Sequence, residues 1–198
     1  MPERTRKDAT RNREAVLAAA DALFTRCESP DSVTTADIAA AAGVGKGTVF
    51  RAFGDRAGLL RALYEARLEP VRAAVEAGPP PLGPAAPPRD RALALLDAVL
   101  CFKLDNRRLA LALEGSGGSE GSSPYRAEHY ERWHGLLREV LDQVPGLTDS
   151  AFTAHALLAA TRADLVEHLA GERGLPRERM RADLAALARR VLAPGGAE

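Results

Sequence analysis

The stretch from Thr34 to Arg56, TTADIAAAAGVGKGTVFRAFGDR, constrains the fold more than any other part of the chain. It reads as two short helices joined by a tight turn. The Thr34 hydroxyl suits an N-cap, accepting an orphan backbone N–H of the first turn. Asp37, three residues on, suits the positive end of the helix dipole. Ile38, Ala39 and Ala42 make a small apolar face. Gly43 is placed to end the helix in the left-handed region, and Val44 to close the turn into a core. A second helix, KGTVFRAF, follows from about Gly45, and its spacing turns Val49, Phe50 and Phe53 inward. Lys46, Gly47, Thr48, Arg51 and Ala52 then face out. That outer face is short, small and basic, as on a helix that enters the DNA major groove.

The turn, core and exposed positions agree in order with one known pattern, T-x-x-x-I-A-x-x-A-G-V followed by a Thr-containing helix and F-x-x-[+]-x-x-L. Thr34, Ile38, Ala39, Ala42, Gly43, Val44, Thr48, Phe53, Arg56 and Leu59 fill it. The segment resembles the DNA-binding signature of the TetR family of transcriptional regulators. The resemblance implies an all-α fold, with an N-terminal three-helix unit carrying the helix-turn-helix and a C-terminal helical bundle for ligand binding and dimerisation. It implies a one-component regulator: a ligand-responsive repressor that binds a pseudo-palindromic operator as a homodimer and is released by a small hydrophobic effector. The alternatives are a constitutive DNA-binding dimer without effector and, more remotely, a small helical enzyme or carrier. The expected DNA-facing residues are Thr34, Thr35, Lys46, Gly47, Thr48, Phe50, Arg51 and Arg56. Thr48 can meet a thymine methyl or a phosphate, and Lys46 and Arg51 guanine acceptors or phosphates. Thr35 sits among the free N–H groups of a helix start. Two positions depart from the family: Phe50 stands where a phosphate-touching Tyr is usual, and Ala52 where His or Tyr is common.

The chain has 198 residues and 27 basic against 27 acidic side chains, a balance that does not point to a general nucleic-acid coating protein. The basic residues are uneven: Arg4, Arg6, Lys7, Arg11 and Arg13 face only Glu3 and Asp8 in residues 1–13. Such a segment reads equally as a phosphate-contacting arm or as a solvated tail. Cys27 and Cys101 have no zinc, redox or disulfide spacing. There is no apolar leader and no run of about 18 apolar residues, so the expected location is the cytoplasm, without a membrane partner. Enzyme chemistry finds no footing. GVGKGT fails as a phosphate loop, because its first glycine falls at Ala40 and Gly47 replaces the Ser or Thr after Lys46. His129, His134, His155 and His168 lack metal-ligand spacing, and no cofactor or metal is expected.

Along the chain, residues 8–26 form an amphipathic helix through Val16, Leu17, Ala20, Leu23 and Phe24. Pro30 and Asp31 break the chain before the motif. A helix from about Arg56 to Ala77 follows, with Pro70 expected to kink or split it. GPPPLGPAAPP, 78–88, reads as a semi-rigid polyproline-like linker. The expected division is a DNA-binding domain at 1–54, a connecting helix at 55–77 and a ligand-binding and dimerisation domain at 78–198. Further helices are expected at 90–105, 107–115, from Pro124 to Val144, from a Thr148 or Asp149 cap to about Gly171, and after Pro176. GSGGSEGSS, 115–123, reads as a flexible loop, and Pro194-Gly195-Gly196 ends the last helix. The ligand site implied by the resemblance draws on polar and aromatic residues set in apolar helices: Phe102, Lys103, Leu111, Glu114, Tyr125, Tyr130, Trp133, His134, His155 and Arg162. The implied dimer interface uses Leu158, Leu165, Leu169, Met180, Leu184, Leu187 and Val191. Of these, Met180, Leu184, Leu187 and Val191 form a seam on the last helix.

Overall fold

The computed structural model describes residues 2–27, 32–115 and 128–193. Tyr125, the Glu114 side chain, the Pro30–Asp31 break, the glycine-serine loop beyond residue 115, the start of the helix expected at Pro124 and the Pro194-Gly195-Gly196 end lie outside what it describes. So do the side chains of Arg4 and Arg6. Among the described residues every regular element is helical. They are α1 (Pro2–Arg26), α2 (Thr35–Ala41), α3 (Lys46–Phe53), α4 (Arg56–Ala77), α5 (Pro88–Asp105), α6 (Arg107–Gly115), α7 (Glu128–Leu141), α8 (Ser150–Ala159), α9 (Ala163–Val166) and α10 (Arg177–Val191). The chain divides into two compact units, one of residues 1–67 and 108–116, the other of 68–107 and 117–198.

In the first unit, α1, α2 and α3 pack on one another. Val16, Ala20 and Phe24 of α1, Ile38 and Ala39 of α2, and Val49 of α3 are buried. Leu59, Leu60, Leu63 and Tyr64 of α4 are buried as well. Arg67 ties α4 to α1: its Nε donates to Asp21 Oδ1 at 2.6 Å and its Nη2 to the Asp21 carbonyl and the Thr25 hydroxyl, each at 3.0 Å. α1 begins at Pro2, six residues before the expected start at residue 8.

The second unit is built on α5, which packs against α7, α9 and α10, while α7 packs on α8. Leu95, Leu96, Val99 and Leu100 of α5 meet a core shared with Trp133, Leu137, Val140, Leu157, Leu158, Val166, Met180 and Leu184. Arg177 pairs with Asp105, and Arg181 Nε reaches Asp97 Oδ1 at 2.7 Å, so α10 is held in one rotation against α5.

One expectation is narrowed and two change. α4 runs through Pro70 without splitting. The proline-rich segment is not an extended spacer but a compact set of turns. Gly83 N–H donates to the Pro79 carbonyl at 3.0 Å and Ala86 N–H to the Gly83 carbonyl at 3.2 Å, and Gly83 and Ala86 are buried. Arg91 pins the segment, with Nε donating to the Leu82 carbonyl at 3.3 Å and Nη2 to the Val75 carbonyl at 3.1 Å. The helix capped by Asp149 does not run unbroken to Gly171. It stops at Ala159, where the buried Thr161 hydroxyl donates to the Leu158 carbonyl at 2.9 Å, and it resumes as α9 and a π-helical turn over Glu167–Glu172.

Candidate nucleic-acid interface

The α2–α3 pair is fixed by its own sequence. Thr34 Oγ1 accepts the Asp37 N–H at 3.2 Å, and Asp37 Oδ2 accepts the Thr34 N–H at 2.9 Å and the Thr34 hydroxyl at 2.6 Å. This is a reciprocal capping box. The hydroxyl bond from Thr34 is the main reason the Asp37 carboxyl titrates below its ordinary value, with Lys46 adding a smaller attraction. At the other end of α2, Gly43 takes φ +66°, with Gly43 N–H bonded to the Ala40 carbonyl at 3.1 Å and Val44 N–H to the Ala39 carbonyl at 3.0 Å. Those two bonds make a Schellman cap, which needs a residue free to enter the left-handed region.

α3 then presents Lys46, Gly47, Phe50 and Arg51 to solvent. Here the structure corrects the inward reading of Phe50, whose surface is 70% exposed while Val49 is 1% exposed. The inward arc is Thr48, Val49, Ala52 and Phe53, one residue out of step with the apolar pattern, and Thr48 and Ala52 are half-buried rather than outward. Arg13 of α1 accounts for part of this rotation: its Nη1 donates to the Ala52 carbonyl at 3.1 Å, and its guanidinium lies 4.5 Å over the Phe53 ring. In the sequence Arg13 reads only as part of a basic arm; a single arginine eleven residues past the start of α1 carries no local signal for that contact. Thr35 is half-buried at the start of α2. The half-buried Arg56 donates from Nη2 to the Val33 carbonyl at 3.3 Å, bracing the start of α4 against the segment before α2.

Residues 16–63 match the family model of bacterial regulatory proteins, tetR family. That segment, about a quarter of the chain, is similar to the part of those regulators that the family model describes. No curated protein matches the sequence. Among solved structures, a TetR-family transcriptional regulator from Rhodococcus sp. is 22% identical, with 93% of this chain and 100% of that chain covered and a TM-score of 0.70. NalD, the secondary repressor of the MexAB-OprM multidrug efflux pump in Pseudomonas aeruginosa, is 20% identical over 93% of this chain and 97% of its own, with a TM-score of 0.59. LfrR from Mycobacterium smegmatis, a TetR-like regulator solved with proflavine, is 24% identical over 91% and 96%, with a TM-score of 0.56. At these identities the likeness is one of fold.

In this chain the residues expected at a ligand fall into separate groups. Trp133 lines a cavity of about 10 Å³ with Leu95, Leu96, Val99, Leu137 and Leu158. Phe102 and Lys103 are buried on α5. Leu111 lies on α6, in the part of the chain grouped with the first unit. Tyr130, His134 and His155 come together on the α7–α8 surface. The Tyr130 hydroxyl lies 2.5 Å from His155 Nδ1, and the two imidazoles stack with centroids 3.7 Å apart. Desolvation, and then the nearby His134, lower the His155 pKa below its ordinary 6.5, against an opposing pull from Glu131. Arg162 forks onto Asp164, with Nη2 to Oδ2 at 2.8 Å. Of the residues expected at a dimer interface, Leu158, Met180 and Leu184 are buried within the second unit. Leu165, Leu187 and Val191 are 37%, 37% and 40% exposed, and Leu169 is half-buried. Among the described residues no helix is long and apolar enough to cross a membrane.

Proposed function

We propose that the protein is a ligand-responsive repressor in the cytoplasm, a homodimer that binds a pseudo-palindromic operator and releases it when a small hydrophobic effector enters the second unit. The observation that carries this reading is the outer face of α3, where Lys46, Gly47, Phe50 and Arg51 stand exposed beyond a capped helix-turn. The two cations neutralise phosphates, and the open backbone at Gly47 admits the groove wall. Thr34 spends its hydroxyl on the capping box, so its role at DNA is to aim the free N–H groups of α2, with Thr35, at a phosphate. Two copies would set their α3 helices about 34–36 Å apart, one duplex turn.

Large apolar side chains left in water on α8, α9 and α10 support the dimer: Phe152, Leu165, Leu187 and Val191. The description of NalD as a repressor and the complex of LfrR with proflavine support repression and an aromatic effector. α4 supplies residues to both units. Ligand would act by shifting α4 and so the spacing of the two α3 helices, with an effect as large as its differential affinity for the two states.

A second reading, the alternative, is a DNA-binding dimer without effector, for which the space beside Trp133, about 10 Å³, is relevant in having room for about one water. Selection of bound duplexes from a random pool, with and without a panel of planar hydrophobic compounds, separates the two. A short pseudo-palindrome whose recovery one compound abolishes supports the ligand-responsive repressor. A palindrome indifferent to every compound supports the second reading. No enriched sequence from folded protein at moderate salt rejects both.

A further inference from the structure

We propose that Phe50 is a specificity-determining residue that reads thymine, seating its ring against the C5-methyl group in the major groove. The proposal rests on the DNA-binding reading of α3 and goes beyond it by assigning one base chemistry to one side chain. Phe50 is 70% exposed, and among the described residues of the first unit it is the large apolar side chain most open to water. An aromatic ring left in water on an otherwise well-packed helix is a cost to the free protein, one that a binding partner can remove.

The neighbours of Phe50 define that partner. Lys46 and Gly47 precede it by four and three residues and share its face, and Arg51 follows it. A Cβ built on Gly47 would meet nothing within 4 Å, so among the described residues nothing covers the helix at that position. The helix KGTVFRAF contains no acid. The face is therefore an apolar ring flanked by cations, complementary to a polyanion with an apolar feature between its charged rails. The thymine methyl is the apolar feature that the major groove offers at a base edge. Phe50 has no hydroxyl to donate to a phosphate, so its contribution is apolar contact. With the two cations holding the rails, the ring lies over the groove between them.

The test uses a duplex recovered by selection, remade with deoxyuridine at each thymine in turn. Deoxyuridine removes the methyl and leaves the pairing intact. Binding is measured at fixed salt for the full chain and for Phe50→Ala. The expected result is one position per half-site at which deoxyuridine weakens the native protein about fourfold, the change for one buried methyl-sized group. Phe50→Ala should bind the thymine duplex more weakly and should not distinguish thymine from deoxyuridine there. Phe50→Leu, which keeps apolar surface, should retain part of the discrimination. A native protein indifferent to every deoxyuridine overturns the proposal while leaving DNA binding intact, as does a Phe50→Ala variant with undiminished methyl sensitivity. Failure to recover any specific duplex overturns the DNA-binding reading, and this proposal with it.

Discussion

Thr34 and Asp37 satisfy each other's backbone neighbours, and the bond lengths show both halves of the exchange. Replacing Thr34 with Ala removes the acceptor for the Asp37 N–H and should destabilise the first unit by about 1 kcal/mol, the usual cost of losing an N-cap hydroxyl. The same variant should change acid sensitivity. The Asp37 carboxyl has its pKa lowered from an ordinary 3.8, first by the Thr34 hydroxyl and then by the Thr34 N–H. A carboxyl depressed in the folded state adds stability above its unfolded pKa and loses it as pH falls through the lower folded value. Thermal melts of the native protein should therefore drop with acid below about pH 4 partly through this group. Thr34→Ala should melt lower at neutral pH and fall less steeply in acid. Equal melting temperatures for the two proteins at pH 7 would show that the cap carries no stability.

At the scale of elements, the turn between α3 and α4 depends on Gly58. A Cβ there would sit 2.0 Å from the Phe53 carbonyl oxygen, a backbone atom that cannot swing aside. Gly47, also helical, has open space around it. The two glycines therefore predict opposite behaviour for the same substitution. Gly47→Ala should keep or raise the melting temperature, since alanine favours helix by up to about 1 kcal/mol, and should weaken DNA binding by holding the backbone off the duplex. Gly58→Ala should destabilise by about 1–3 kcal/mol through overpacking at the end of α3. Melting curves with a duplex-binding titration check both, and a stabilised Gly58→Ala would contradict the geometry.

This helix pair was legible in the sequence because its determinants are local. A cap, an acid three residues on and a turn glycine each act within one turn of chain. The facing of α3 was not. On eight residues, Val49, Phe50 and Phe53 and the observed arc of Thr48, Val49, Ala52 and Phe53 are one step of rotation apart, and a distant arginine, Arg13, helps choose between them. Arg91 does the same for the proline segment, which composition alone presents as a spacer. On α10 the apolar spacing pointed to Met180, Leu184, Leu187 and Val191 as one seam. The buried row is Met180, Leu184, Ala188 and Leu192, a four-residue ridge lying along α5. The expected ligand residues shared only their composition, and the structure gathers Tyr130, His134 and His155 at a surface apart from the core around Trp133.

For the whole molecule, that displaced seam decides which substitution tests assembly. Leu184 is 8% exposed, so a charge there would enter the core of the second unit and report unfolding. Leu187 and Val191 are 37% and 40% exposed and lie one turn apart on the outer side of α10. An aspartate at Leu187 stays solvated in a free protomer and costs its fold little. In the proposed dimer it would be buried opposite another copy of itself, where two like charges in a dry interface oppose association. Leu187→Asp should therefore keep the native helical content and melting cooperativity, sediment as a monomer at concentrations where the native chain is a dimer, and lose affinity for the full pseudo-palindrome. Its affinity for a single half-site should match that of the native chain, because α3 lies in the other unit. A Leu187→Asp protein that still sediments as a dimer would move the interface off this side of α10. One that is monomeric yet holds the full site at native affinity would separate dimerisation from DNA recognition.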